Sequence, residues 1–548
     1  MSLLLLTGHH AVTRADAADF RAAWETLYAR CAWATACQHP DFVAPWYALY
    51  MSSSLPVMVV DERDDGSLDG LLALALRPGG GMLTGAGDQQ AEYQGWLQAS
   101  GGDSRFIVRA IELVRAQFPD ADICLKYLPP GIPLRWIDEA HGYRGLCCLR
   151  SYSLPLMRID ADVMNRQRNK KNHRQNFNRL KRVGEVRFEQ VVDHQHFERV
   201  FDEICMQYDF RQAALYRTMP FSKDPFKKRF QLALHKNGLL HTTVLSVGDR
   251  IAASHIGLLS KGRAVHLGIN TYDPALAAHS PGNLLLAMLG VHLVAQGIPV
   301  LDLTAGGDQY KEHFATEHDS VRELIVYRDR KSRWTGEARR GAIRYAKARL
   351  RAAGYRPADV AARFEEIKRF GLSDVRAAWT TLGRGHQCHM RALHHATHAP
   401  GAHTLSSTAL PIGKNRLQDV FAFDAHGDHA RYCTFLDTVM KRMERSGDLY
   451  SYVRNGQLQM LCWAGVHCVE PPSGASVQAS GSSATTIVLS DMYVHPEARH
   501  EAGIRQFLAQ LLLEVAQARP GSDVVYRGRL SKQLHSLLTG CGFIDALP

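Results

Sequence analysis

The chain has 548 residues, 46% of them hydrophobic and 22% charged, the make-up of an ordinary globular protein of roughly three to four domains rather than a fibrous or low-complexity one. Lys and Arg exceed Asp and Glu by 65 − 54 = 11, and part of the excess is local, which points to one anionic ligand or face. No stretch of about 18 apolar residues is present, and the N-terminal leucines lack a preceding basic region. Neither a membrane span nor a signal peptide is therefore expected, and a cytoplasmic protein is the default.

Residues 1–160 alternate helix and strand. "DAADFRAAWETLYARC" has helical spacing, "PVMVV" and "GLLALAL" read as strands, and the helix "SRFIVRAIELVRAQF" precedes the strand "ADICLKYL". Cys147 and Cys148 are adjacent and poorly placed to bridge each other. The eleven cysteines form no CxxC pair, so reduced, mostly buried thiols without a catalytic role are expected.

Residues 161–330 open on "RQRNKKNHRQNFNRLKR", which carries eight Lys or Arg and no acid. Phe177 and Leu180 give it a narrow apolar stripe, and Gly184 is a stop signal for a helix. A further helix, "HFERVFDEICMQYDF", is followed by strands "LLHTTVLSVG", "RIAASHIGLLS" and "RAVHLGINTYD", joined by the short turns "GD" and "KG" as an antiparallel meander. "PGNLLLAMLGVHLVAQG" is a helix and "PVLDLTA" a buried strand, and "RRGAIRYAKARLRAAGY" is a basic helix leading to a linker at 380–412. His386, Cys388, His389, His394, His395 and His398 crowd that linker, but their spacing fits no closed zinc site, so a disordered segment and no metal are expected. From 413 a third α/β unit follows, with a helix near 427–446, a hairpin at Asn455-Gly456, a flexible loop "EPPSGASVQASGSSA", the strand "TTIVLSDMYV" and the helix "GIRQFLAQLLLEVAQA".

In the middle unit a strand runs through "PALAAHSPG" into an apolar helix. Unpaired amides at such a helix start are a receptor for phosphate, with Pro281 suited to the first turn and Gly282 to close approach. An ordinary capped helix gives the same pattern.

The meander, then "YDPALAAHSPGNLLL", then "VLDLTAGGDQYKEHFA", together resemble the GNAT-superfamily acetyltransferases of the cellulose-biosynthesis (CelD/BcsL-like) type. The preceding basic helix fits that pattern, and "AEYQGWL" matches an Asp/Glu-Tyr segment of a degenerate first half. The resemblance implies an α/β (α+β) fold of tandem GNAT-like domains, each a mixed, largely antiparallel sheet flanked by helices. The expected domains are 1–160 (degenerate), 161–330 (acyltransferase), 331–412 (helix and His-rich linker) and 413–548 (a degenerate C-terminal copy). It further implies that Ser280, Pro281, Gly282 and Asn283 cradle the pyrophosphate of acetyl-CoA or another acyl-CoA, although the loop departs from the usual Q/R-x-x-G-x-G/A. The related FemABX-type transferases share the double plan and take aminoacyl-tRNA as donor.

The third unit resembles the superfamily's commoner form through "DMYVHPEARHEAGIRQFLAQLL" and "LSKQLHSLLTGCGF". Arg505 stands where the last loop glycine is expected, Arg499-His500-Glu501 is one residue too long, and Leu538 takes the place of the Tyr that protonates the departing thiolate. This unit is expected to be a degenerate copy.

Four residues are candidates for chemistry. His255 on a meander strand is a base of moderate pKa, or a satisfied core histidine. Asp302 ends a strand, where carboxylates in α/β sheets often face the ligand crevice, or it caps a loop. The resemblance points to Tyr310 and Lys311 at the acceptor groove; otherwise they form a surface turn with Tyr packed and Lys solvated. Lys170, Lys171, Arg174 and Asn270 are candidates for binding an anionic substrate. The expected activity is an acyl-CoA-dependent N- or O-acyltransferase acting on a sugar or amino-bearing precursor of polysaccharide or secondary-metabolite assembly. The alternatives are an aminoacyl-tRNA-dependent transferase, for which the basic stretch would meet tRNA, and a non-catalytic scaffold. DNA is not an expected partner, because no base-reading helix is evident.

Overall fold

A computed structural model of the chain describes residues 3–355, 357, 360, 391–395 and 410–545, apart from 100–103, 140–142, 262–263, 307, 446, 468–485, 499–500, 521, 529–531 and 542. It is a mixed α/β protein in two compact units. The first comprises residues 1–205, 220–271 and 281–354, and the second residues 206–219, 272–280 and 355–548. The expected boundaries at 160 and 330 both fall inside the first unit.

Among the described residues the strands of the first unit are β1 (Leu3–Thr7), β2 (Leu55–Glu62), β3 (Leu68–Leu76), β4 (Met82–Gly85), β5 (Leu97–Gln98), β6 (Asp122–Leu128), β7 (Cys147–Arg158), β8 (Val186–Gln190), β9 (Leu240–Val247), β10 (Arg250–Ser260), β11 (Ala264–His266), β12 (Ile269–Tyr272), β13 (Val300–Asp302) and β14 (Glu317–Val326). They form one sheet in the order β1-β2-β3-β4-β6-β14-β7-β13-β11-β10-β9-β8. The strand that joins the two halves comes late in the sequence. β14 inserts between β6 and β7 and runs antiparallel to both, so Val326 pairs with Ile123 on one side and Cys147 on the other.

Continuous apolar runs account for the buried strands: Val57, Met58, Val59 and Val60 of β2 are all fully buried, as a strand covered on both faces requires. The helix Arg105–Gln117 buries Phe106, Ile107, Ala110, Ile111 and Val114, the 3–4 spacing of one helical face. Burying such side chains contributes about 1.5–3 kcal/mol each.

The basic stretch forms two helices rather than one, Ala161–Arg168 and Lys171–Val183. Lys170, with φ −53 and ψ 139, is extended between them and starts the second. Met164 of the first packs on the helix Pro281–Ala295 at Gly290, where a Cβ would meet its sulfur at 2.5 Å. The second is anchored by buried His173 and Leu180.

The second unit contains β15 (Arg391–His395), β16 (Gly413–Lys414), β17 (Asp448–Arg454), β18 (Gln457–His467), β19 (Thr486–Val494), β20 (Asp523–Gly528) and β21 (Phe543–Asp545), in the order β16-β17-β18-β19-β20-β15-β21. Asn455 and Gly456 at φ 52 and 73 make the tight turn between β17 and β18, as two-residue hairpins demand. β19 and β20 are parallel, bridged by the helix Glu501–Ala518, which buries Ile504, Phe507, Leu508 and Leu511. Phe210, Ala213 and Ala214 belong to the same core as Leu436, Val439 and Met440 of the helix His429–Glu444. Part of the His-rich segment is sheet and not a disordered linker: β15, which includes His394 and His395, pairs with both β20 and β21. His386, Cys388, His389, His398, Arg499, His500 and the loop "EPPSGASVQASGSSA" lie outside the described residues.

Candidate active site

The expected strand "RAVHLGINTYD" is broken in two, and the break creates a site. β11 runs parallel to β13 with His266 opposite Asp302, after which the chain leaves β13 and β12 pairs with β10. Gly268 marks the departure: a Cβ there would lie 2.7 Å from the carbonyl oxygen of Ile256 and 3.1 Å from Glu92 Oε1. His266 and Asp302 therefore stand at the carboxyl ends of two diverging parallel strands, where α/β sheets place their ligands.

A segment from the other half of the sheet completes the cluster. Gln94 fixes that segment: its Oε1 accepts from Gly85 N (3.2 Å) and Lys126 N (3.0 Å), and its Nε2 donates to Asp88 O (2.9 Å). Gln38 Nε2 donates to Tyr93 O at 3.1 Å. So placed, Tyr93 donates its hydroxyl to Asp302 Oδ2, and its ring meets the His266 imidazole edge-on at 5.3 Å. Thr304 N donates to Asp302 Oδ1 at 2.8 Å. His266 Nδ1 faces both Asp302 Oδ2 (3.4 Å) and Glu92 Oε2 (3.2 Å), and its Nε2 is paired with Ser260 Oγ at 2.7 Å. The latter hydroxyl accepts from Ala36 N at 2.9 Å.

Two carboxylates thus share one imidazole nitrogen, and their environments push them apart. Burial alone would raise Asp302, but the nearby His266 imidazole, with the hydrogen bonds from Tyr93 and Thr304, holds it below the usual carboxylate range. Glu92 has few such donors, and its Oε2 stands near His266 Nδ1 without completing a hydrogen bond. Burial pushes its carboxyl up to about 7, a shift that His266 opposes and the Asp302 charge reinforces. Burial would lower His266, yet the flanking carboxylates carry it above its ordinary value. Tyr93 is raised by burial and by Asp302, so it remains a donor. Carboxyls separated in this way are a mark of acid–base pairs. Glu92 keeps 20% of its side chain accessible, against 8% for Asp302 and 4% for His266, and is the most accessible of the three.

Lys311 lies beside this cluster rather than in solvent. It is 6% exposed, and its Nζ donates to Thr304 O (3.2 Å) and Oγ1 (3.1 Å), with Asp308 Oδ2 3.8 Å away. Thr304 has φ 58 and Gly306 φ 157, so the loop between Asp302 and Lys311 folds back to present that carbonyl. Tyr310 is partly buried against the cluster of Met157, Leu286 and Phe314.

The remaining expected residues are distributed as follows. His255 is fully buried, its Nε2 3.1 Å from His266 O, and burial pulls its imidazole down to about 3. It stays neutral and acts on the site only through the backbone of His266. Asn270 is partly buried on β12. Ser280 has φ 49 and ψ 53 and ends the short helix Pro274–His279. Pro281 then begins the helix Pro281–Ala295, with Pro281 buried and Asn283 exposed. Those first-turn amides are a donor set that suits a pyrophosphate. Lys170, Lys171 and Arg174 are exposed. In the second unit Arg505 is exposed and Leu538 fully buried.

Glu92 and Tyr93 carry no role in the sequence reading beyond their place in "AEYQGWL", and His266 none beyond its strand. The available signal was the pair of ionisable residues in an apolar segment, flanked by Ala91 and Trp96 that are now buried.

Residues 167–312 match the family described as an acetyltransferase (GNAT) domain, so the chain carries a GNAT-type domain. His266, Asp302, Thr304 and Lys311 fall within the matched residues, and Glu92 and Tyr93 outside them. Among solved structures similar to this chain, FemX is 8% identical, with 56% of this chain and 96% of that one covered and a TM-score of 0.40. A second is L-PGS from Bacillus licheniformis, at 13% identity, 58% and 93% coverage and a TM-score of 0.37. A third contains a fungal glucosamine N-acetyltransferase region, at 12% identity, 59% and 38% coverage and a TM-score of 0.32. No match is found among curated proteins.

Proposed function

We propose that the protein is an acyl-CoA-dependent acyltransferase, with acetyl-CoA the first donor to test, in which Glu92 is the base that deprotonates the acceptor. The observation that carries this reading is the shared nitrogen of His266, which holds Asp302 ionised and leaves Glu92, with its carboxyl near 7, able to take a proton at neutral pH. A catalytic pKa near the working pH gives the most effective general base. In the reaction the acceptor amine or hydroxyl attacks the thioester carbonyl, its proton passes to Glu92, the carbon–sulfur bond breaks and coenzyme A departs. The acyl group goes directly to the acceptor, with no covalent enzyme intermediate.

Asp302, Tyr93 and His266 position that base rather than react. Ser280, Pro281, Gly282 and Asn283 are the donor loop in this reading, Tyr310 and Lys311 border the acceptor, and Asn270, Lys170, Lys171 and Arg174 attract an anionic substrate. A sugar or amino-bearing precursor of polysaccharide or secondary-metabolite assembly, of the cellulose-biosynthesis type, is the acceptor class favoured by the sequence resemblance. The test is release of free thiol from acetyl-CoA in the presence of amino-sugar acceptors, measured for the wild type and Glu92→Gln. Turnover in the wild type and its near-complete loss in the variant, with donor binding kept, supports the reading.

A second reading, transfer from aminoacyl-tRNA, is favoured by the exposure of the cations on the helices Ala161–Arg168 and Lys171–Val183. Tight tRNA binding whose log–log salt slope grows by about 0.7–0.9 per phosphate contacted, and which is lost on replacing Lys170, Lys171 and Arg174 with Gln, would favour that donor.

A further inference from the structure

The helix Arg330–Ala352 carries nine Lys or Arg and a single acid, Glu337. None of its residues is buried. Its first turns are seated firmly. Gly336 packs on Tyr327, where a Cβ would meet the ring at 2.9 Å. Glu337 binds Arg150 and the Tyr327 hydroxyl, each at 2.6 Å, and Asp329 caps the helix by accepting from Ser332 N. Beyond Glu337 the charges are unmatched: among the described residues Arg339, Arg344, Lys347, Arg349 and Arg351 enter no ion pair. The lone acid is thus consumed in anchoring, and the rest of the helix is a cationic rod about 1.5 Å long per residue.

One face of this rod is uncharged. Positions 334, 338, 341, 345, 348 and 352 follow the 3–4 spacing of a single helical stripe, and they are Trp, Ala, Gly, Tyr, Ala and Ala. Trp334 is 74% exposed and Tyr345 67%. Two large aromatics on an otherwise small, smooth stripe, bordered by cations, have no partner among the described residues of the first unit. A second copy of the helix is a poor occupant, because like charges would border the seam. For nucleic acid, aromatics stack among the cations that track a backbone, whereas here the aromatics occupy the stripe without cations. An interfacial helix has the observed arrangement: Lys and Arg reach anionic headgroups while Trp and Tyr enter the headgroup boundary.

We propose that the helix Arg330–Ala352 is a peripheral docking element for membrane surfaces rich in anionic lipid headgroups. It lies flat on the surface without crossing it, consistent with the finding that no described helix is long and apolar enough to span a membrane. The proposal is independent of the acyl-transfer reading, since no residue of this helix belongs to the Glu92 cluster.

The experiment is sedimentation of the full chain with vesicles of phosphatidylcholine alone and of phosphatidylcholine with phosphatidylglycerol. Two variants accompany it, Trp334→Ala with Tyr345→Ala, and Arg344→Gln with Lys347→Gln and Arg351→Gln. All five side chains are exposed, so the fold tolerates both variants, which circular dichroism verifies. Binding to the anionic vesicles only, weakened about tenfold or more in each variant and by added salt, is the expected result. Equal binding to both vesicles, no binding to either, or binding unchanged in both variants overturns it. So does capture of tRNA, without vesicle binding, that the charge variant abolishes.

Discussion

Tyr93 and Asp302 are 209 positions apart in the chain and are joined by a hydrogen bond at the carboxyl end of β13. The bond brings the N-terminal half of the sheet into the site of the half that matches the acetyltransferase domain. Replacing Tyr93 by Phe removes a donor from a buried carboxylate, so Asp302 should rise in pKa and the protein lose about 1–3 kcal/mol of stability. Chemical denaturation of Tyr93→Phe measures the loss. An unchanged midpoint would mean that the hydroxyl contributes nothing to holding the carboxylate.

Glu92→Gln keeps the shape of the side chain and removes the base. Turnover should fall by about 10²-fold or more, and the limb of the pH–rate profile near 7 should vanish with it. A profile that keeps this limb in the variant would assign the titration to another group.

The same residues set opposite pH limits on folding. Glu92 has a folded pKa raised to about 7 from 4.5, so its contribution is fully present below 4.5 and is lost as pH rises through 7, because the folded state binds the extra proton. His255 is lowered to about 3 from 6.5, so its contribution is present above 6.5 and is lost as pH falls toward 3. Thermal midpoints across this range should fall at both ends. Glu92→Gln should reduce the alkaline decline and leave the acid one, the remainder belonging to His266, whose imidazole is also raised. An alkaline decline unchanged in the variant would contradict the assignment.

Lys311 shows where the sequence was opaque. Apart from the resemblance that puts it at the acceptor groove, its neighbours "GGDQYKEH" read as a surface turn with a solvated lysine, for which an alanine substitution would leave stability unchanged. In the structure Lys311 is buried on the Thr304 carbonyl and hydroxyl, so Lys311→Ala strands both acceptors. A fall of about 1–3 kcal/mol is expected, read from the denaturation midpoint. No change would return this lysine to the surface role.

Local pattern was enough for most elements. Alternating or continuous apolar runs marked β2, β3, β6, β9 and β10, and the 3–4 spacing marked the helices Arg105–Gln117 and Pro281–Ala295. Events that depend on distant chain were not legible. The insertion of β14 between β6 and β7 rests on pairing across the whole first unit. The break at Gly268 depends on the Ile256 carbonyl and on Glu92, which lie on other segments. The division of the basic stretch at Lys170 shows as a change of one backbone dihedral pair, which composition does not encode. For the same reason Asp302 could be suspected from its strand end, while its partners Tyr93, Glu92 and His266 could not be assembled around it.

The most direct measurement is calorimetric titration of acetyl-CoA into the wild type, Gly282→Val and Gly503→Val. A side chain at Gly503 meets only the Met460 methyl at an ordinary 3.6 Å, so that variant should keep its fold. At Gly282 a branched side chain stands among the first-turn amides that suit a pyrophosphate. The account predicts binding by the wild type and by Gly503→Val, and none by Gly282→Val. No binding by the wild type, or a loss confined to Gly503→Val, would contradict it.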